Sequence, residues 1–441
     1  MQTVSTSKIT RRRFVRQSAF AATATAAGAA VAACEIGGQS QATQTVASSG
    51  RVEFWQIYQN SPAVPQVKEL IDRKHPQLQV EFVDVPGGQM AEKLTVASAG
   101  GTPPDSVFIN APFFHDCARL FQPLDKFLKR DAKLIDSSDW LPQGLQSSTI
   151  KGNVYGLPLE TAVRVWWFNK DIFNERGIPL PTRQGAPKKF GYKELEEMAQ
   201  QMTFQRGDRQ VYGMYVLRNW FNVLIYVYGA GGTYVDADHT KCFLDSPEAV
   251  AGIQYAFDLV DRRRVAPASG GLGNYEAENT VAMMYNNAAR AQNLRREEYG
   301  KLWDVGPVVQ GQKAPMSFAF VHHAGVVKES ANPGGAWTAI TEYTGKDANP
   351  LWMAGHGWPT VRKSYLETWV KEGEAPPDTP QNVVEWIKVS PIVTFPAGSS
   401  GIINPLASKI LNEAIEGKRS VKDAAGAMAR EITAVLQSNA A

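Results

Sequence analysis

The chain has 441 residues, 44% hydrophobic and 20% charged. That is enough apolar material for a sizeable core, and it excludes disorder of the main body. The net charge of +3 sits at the start: residues 1–33 carry Lys8, Arg11, Arg12, Arg13 and Arg16 and no acid, and without these five the 46 bases fall to 41 against 43 acids. A mildly acidic body argues against a nucleic-acid binder that works through counterion release.

The first 33 residues are read as a twin-arginine signal peptide. Arg11, Arg12 and Arg13 precede Phe14 and Val15, and an alanine-rich stretch follows to Ala33. It ends Val31-Ala32-Ala33-Cys34. Small residues before a cysteine are similar to a lipobox, so Cys34 is expected to carry lipid and anchor the protein to a membrane. The other reading is an ordinary signal peptide with an incidental cysteine. Residues 34–50 are small and polar and read as a flexible tether, with a coil span of about 20–25 Å. Beyond residue 33 no apolar run of about 18 residues occurs, so no membrane span is expected there.

Residues 52–55 form a short β-type run, and Val67, Leu70 and Ile71 then fall at helical spacing. Val80, Phe82 and Val85 read as a second strand. Met90, Leu94 and Ala97 give a helix face ending near Gly100, and Val107, Phe108 and Ile109 a third strand. This alternation implies a parallel α/β sheet with ligands at the strand carboxyl ends. Further on, strands are expected at 163–168, 211–217, 281–285, 303–309 and 317–327. Helices are expected at 192–202, 247–260 and 335–343, and two more between 405 and 437. Cys117 and Cys242 are either one disulfide or two buried thiols.

Several short segments resemble one family in its order. They are Gly101-Thr102-Pro103-Pro104-Asp105, residues 120–124, Tyr155-Gly156-Leu157-Pro158, Phe168-Asn169-Lys170-Asp171-Ile172-Phe173, residues 229–236 and 243–248, and Pro359-Thr360-Val361-Arg362. From Val52 to Leu436 the chain resembles the carbohydrate-type substrate-binding proteins of bacterial ABC importers, the extracellular solute-binding family 1. It departs from the family pattern at 275–287 and 178–191. The resemblance implies an α/β fold of the two-lobe periplasmic-binding-protein type, with a hinge of several chain crossings. One lobe is expected from 51–162 plus about 288–332, the other from 163–287 plus about 333–441. It also implies a sugar or oligosaccharide as ligand, membrane permease subunits as partners, and a monomer with no enzymatic activity, cofactor, metal or nucleic acid.

A sugar ring offers an apolar face that stacks on aromatic rings and hydroxyls that need paired donors and acceptors. Clusters of aromatics beside amides, charges or glycines are therefore the candidate ligand contacts. They are Trp55 and Gln56; Asn110, Phe113 and Phe114; Glu160, Arg164 and Trp166; Trp220 and Asn222 followed by Gly231 and Gly232; Tyr285 and Asn286; His322 and His323; and Trp352 and Trp358. Alternation along a strand sends Trp166 and Trp167 to opposite sides, and likewise His322 and His323, which makes the histidine pair a poor chelate. Glu160 and Arg164 also fit a structural ion pair, while Arg164 and Arg290 leave room for a sugar phosphate or uronate. Trp140, Trp303, Trp337, Trp369 and Trp386 are assigned to packing. The rival class is an exported carbohydrate-active enzyme, whose paired carboxylates need not be close in sequence. A binding protein for a non-sugar solute, or a surface sensor on the same fold, is the third option.

Overall fold

The computed structural model describes residues 49–181, 190–294, 297–366 and 380–440. The leader, Cys34, all but the last residues of the tether, most of the departing segment 178–191 and Trp369 lie outside the described residues. The chain opens with β1 (Gly50–Gln56), α1 (Ala63–Lys74), β2 (Leu78–Asp84), α2 (Met90–Ala99) and β3 (Ser106–Ile109). Strand β1 pairs parallel with both β2 and β3, because each crossover helix returns the chain to the same end of the sheet. Asp105 fixes this unit. Its carboxylate accepts from the Glu53 backbone N–H at 2.9 Å, the Ser330 hydroxyl at 2.6 Å and the Asn332 N–H at 3.1 Å.

The sheet is not parallel throughout. A thirteen-residue strand, β4 (Leu157–Asn169), is mostly apolar and almost wholly buried on both faces. It pairs antiparallel with β5 (Met283–Asn287), β6 (Trp303–Val305) and β7 (Ala319–Val326), and β7 pairs antiparallel with β3. The seven strands run β6-β4-β7-β3-β1-β2, with β5 also on β4. Two expected strands come out shorter. The 303–309 run stops at Val305; Gly306 still donates to the Trp166 carbonyl at 2.8 Å, where a side chain would lie 1.9 Å from the Trp166 ring. The 211–217 run makes only single bridges, Tyr212 to Val281 and Tyr215 to Met284. There Gly213 sits so close to the Ala199 backbone that no Cβ fits.

Two cores lie on either side of the hinge, as the two-lobe fold requires. Val52, Phe54, Phe108, Leu157 and Leu159 belong to the smaller one, joined by a satellite around Phe114 and Phe121. Val163, Trp166, Trp167, Phe257 and Met284 belong to the larger. Two segments fall opposite to expectation. Residues 288–320 supply Trp303, Val309 and Phe318 to the larger core, and residues 333–361 supply Trp337, Tyr343 and Trp352 to the smaller. The reason is strand β7, which returns beside β4 and changes core between Phe320 and Val321. The chain returns to the larger core for good between Val361 and Leu366, although Met353 already packs there. At that third crossing the Thr161 N–H donates to the Pro359 carbonyl at 2.9 Å, and Arg362 donates to Asp139 at 3.3 Å.

Helices follow the local signals. Ser246 caps α3 (Pro247–Asp261), accepting from the Ala249 N–H, and Asn332 caps α4 (Pro333–Tyr343), accepting from the Gly335 N–H. Both carry proline in the first turn. Helix α5 (Asn349–His356) follows, and the tail is α6 (Asn404–Ile415) and α7 (Val421–Ala440). Cys117 and Cys242 are buried free thiols in different cores.

Candidate functional site

A cleft of about 320 Å³ opens where elements of the two cores meet. From the smaller side come Asn110, Pro112 and Phe113, which follow β3, and His322 on β7. From the larger side come Trp220, Phe221, Phe320, Phe395 and Asn404, with Trp358 from the third crossing. The strand end after β3 is where an α/β sheet exposes side chains to a ligand. Along β7, alternation puts Phe320 and His322 on one face.

The lining is aromatic with polar points. Phe221 stacks on Phe395 at a 5.4 Å centroid distance and meets Phe320 edge-on at 5.7 Å. The His322 ring lies 5.0 Å from Trp358 and 5.6 Å from Phe320. His322 is oriented from behind. Its Nδ1 lies 2.9 Å from Glu160 Oε1, which also accepts from the Tyr58 hydroxyl. An ionised carboxylate only accepts, so Nδ1 carries the proton and Nε2 is left for other partners. Burial and the neighbouring Glu160 push the Tyr58 hydroxyl well above its ordinary value, so it stays a donor. Asn110 Oδ1 is buried without a hydrogen-bond partner.

Of the expected contacts, Asn110, Phe113, Trp220, His322 and Trp358 line this cleft. Others turn elsewhere. Trp55 donates to Glu53 at 2.7 Å and packs on the satellite core. The Gln56 amide is fully engaged by Asp84 and the Tyr58 backbone. Phe114 is buried against Phe121 and His323. Trp166 is buried and stacked on Phe190 at 5.0 Å. Tyr285 is buried near Tyr226 and Trp386, and Asn286 accepts from the next backbone N–H. Asn222 bonds Asn219. Gly231 has φ +84° and Gly232 packs on the Ala249 backbone, so these two serve a turn and close helix packing. His323 is buried with Nε2 2.9 Å from Ser147 Oγ. Trp352 is buried in the smaller core and donates to the Tyr343 carbonyl at 2.8 Å.

Glu160 and Arg164 make no ion pair with each other among the described residues, and Arg290 is neutralised by Glu276. Arg164 instead lies over three rings, with its guanidinium carbon 5.1 Å from Phe221, 5.5 Å from Phe318 and 5.8 Å from Phe320. Phe320, Phe395 and Asn404 were missed by the cluster reading. Alternation from His322 would have found Phe320. The aromatic-glycine-serine run before the 404 helix was the only signal for the other two.

A two-lobed α/β fold with an aromatic cleft at its hinge defines a binding protein. Residues 58–350, more than half of the chain, match the family model of the bacterial extracellular solute-binding proteins, and the chain belongs to that family. A binding protein of Brucella abortus (strain 2308) is 21% identical over 312 residues, which is 68% of this chain and 73% of that one. The ABC substrate-binding protein Lmo0181 from Listeria monocytogenes, solved in complex with cycloalternan, superposes with a TM-score of 0.75 at 20% identity, covering 88% of this chain and 99% of that one. The GacH receptor of Streptomyces glaucescens, solved unliganded and with acarbose, gives 0.73 at 22% identity, with 88% and 99% covered.

Proposed function

We propose that the chain is the extracytoplasmic cargo-capture subunit of an ABC importer and that its cargo is a sugar or oligosaccharide. The observation that carries this reading is the cleft lining: the rings of Phe113, Trp220, Phe221, Phe320, Trp358 and Phe395 around the polar points Asn110, His322 and Asn404. Flat apolar faces beside single donors and acceptors suit a pyranose better than a peptide or a bare ion. The cycloalternan and acarbose complexes of the Listeria and Streptomyces proteins support the same class.

In this reading the lobes are residues 51–160 with 321–361, and 162–320 with 366–436. Closure about β4 and β7 buries the sugar between the rings and presents a joint surface to the permease. The protein binds its cargo without turning it over. It leaves the cytoplasm by the twin-arginine route, and lipid on Cys34 with the tether of residues 34–50 holds it as a monomer beside the membrane.

Thermal shift against mono- and oligosaccharides tests the cargo class. A ligand at about 100 times its Kd adds about 2.7 kcal/mol to the folded state. A selective sugar shift with the sugar recovered intact is expected. Consumption of the sugar would make the protein an enzyme, and a flat response across the panel would remove the carbohydrate assignment.

A further inference from the structure

Among the described residues, the arginines that are not exposed are Arg164, Arg206, Arg218, Arg290, Arg362 and Arg419. Five of them meet an acid: Arg206 meets Glu175, Arg218 Asp261, Arg290 Glu276, Arg362 Asp139 and Arg419 Glu413. Arg164 alone makes no ion pair, and its Nε is buried without a hydrogen-bond partner. The acid four residues before it on β4, Glu160, is already occupied by Tyr58 and His322. Arg164 is half-buried, and its guanidinium lies over three ring faces with Nε enclosed. Burial pulls it down to about 10, so it remains charged at neutral pH.

Ring faces offset part of the cost of enclosing a cation, but they do not replace hydrogen-bond acceptors. Two of the three rings under Arg164, Phe221 and Phe320, are also walls of the cleft. The uncompensated guanidinium therefore packs on two wall rings of the volume that a bound solute would fill, without itself lining it. Its planar fork of donors matches the oxygens of a carboxylate or phosphate, which an isolated hydroxyl does not.

We infer that the sugar taken into this cleft is an acidic one, whose carboxylate or phosphate ester supplies the counter-charge that Arg164 lacks. This rests on the reading of the cleft as a sugar site and narrows it.

The test is calorimetric titration of the purified full chain with matched pairs: galactose and galacturonate, glucose and glucuronate, glucose and glucose 6-phosphate, and the corresponding disaccharides. The acidic member is expected to bind roughly 10- to 100-fold more tightly, and the carboxylate and phosphate arms identify which oxyanion fits. Arg164→Gln should erase that preference while leaving neutral-sugar affinity within a few-fold, and Arg164→Lys should keep part of it. Neutral sugars binding as tightly as their acidic partners overturns the inference and leaves the sugar reading standing. Binding of neither kind overturns both. Should Arg164→Gln fail to fold, the wild-type pairs still decide.

Discussion

Asp116 accepts the backbone N–H of Ser399 at 3.0 Å. The same carboxylate accepts from the Ser400 N–H at 3.0 Å and from its hydroxyl. Asp116 follows the strand end that carries Asn110 and Phe113, and Ser399 and Ser400 open the helical segment that carries Asn404. One carboxylate thus joins the two walls of the cleft through several donors at a helix start, where negative charge is favoured.

Asp116→Ala removes these bonds. If they form only when the walls meet, the loss appears in binding. Sugar affinity should fall by about 2- to 30-fold, which corresponds to the roughly 0.5–2 kcal/mol of a helix cap. Stopped-flow release should carry most of it, as faster dissociation. A variant with lower Tm and unaltered release would make Asp116 a support of the folded state alone.

Two tryptophans six residues apart should behave in opposite ways. Trp352 is 3% exposed, with its ring 4.5 Å from Tyr343. Trp352→Ala should cost about 3–5 kcal/mol of stability. Trp358 is half-buried in the cleft wall. Trp358→Ala should change stability far less and weaken sugar binding by about tenfold or more. Denaturant unfolding and titration of both variants separate the two roles, and equal stability losses would place Trp358 in the core as well.

That pair marks how far the sequence is legible. The β1-α1-β2-α2-β3 unit follows from local spacing, since period-two and period-3.6 patterns need only neighbouring residues. Core and cleft aromatics share the same local pattern. Trp352 and Trp358 both stand near glycines, and Trp352 packs on Tyr58, some 290 residues away, as well as on Tyr343 of the preceding helix. Gln56 and His323 look like ligand contacts by type, yet Asp84 and Tyr58 engage the Gln56 amide and Ser147 takes the His323 Nε2 deep in the fold. Asn404 reaches the cleft from the far end of the chain, which no local pattern encodes. The crossing point behaves likewise: β7 reads clearly as a strand, but its place beside β4 is a pairing between residues some 160 apart.

The pH dependence of stability should carry a contribution from His323. Burial is the first cause that pulls it down to about 3, and its Nδ1 has no partner to accept a second proton's bond. The unfolded chain takes up that proton near 6.5, while the folded chain resists until about 3. Between those values the unfolded state binds more protons, so stability is complete above about 6.5 and declines on acidification. The decline has a slope of up to about 1.4 kcal/mol per pH unit from this residue. His323→Gln should flatten the dependence between about pH 4.5 and 6.5, read as the difference from wild type in urea unfolding. Parallel curves would mean that His323 titrates alike in both states.

Glu160 couples the core to the cleft, and a double-mutant cycle measures that coupling. It holds the Tyr58 hydroxyl and His322 Nδ1 on one oxygen. Glu160→Ala removes the acceptor shared by the Tyr58 hydroxyl and His322 Nδ1, at a cost of about 1–3 kcal/mol for a buried donor left unsatisfied. Glu160→Gln keeps an oxygen for them and should cost less. In binding, both changes free the His322 ring, whose Nε2 is the part left for a solute. Glu160→Ala and His322→Ala should therefore each weaken sugar binding, and together by clearly less than the sum of the two. An additive double variant would mean that Glu160 supports the fold without orienting His322. The order of stability losses, alanine above glutamine, would still hold, because it depends on the Tyr58 hydroxyl as well.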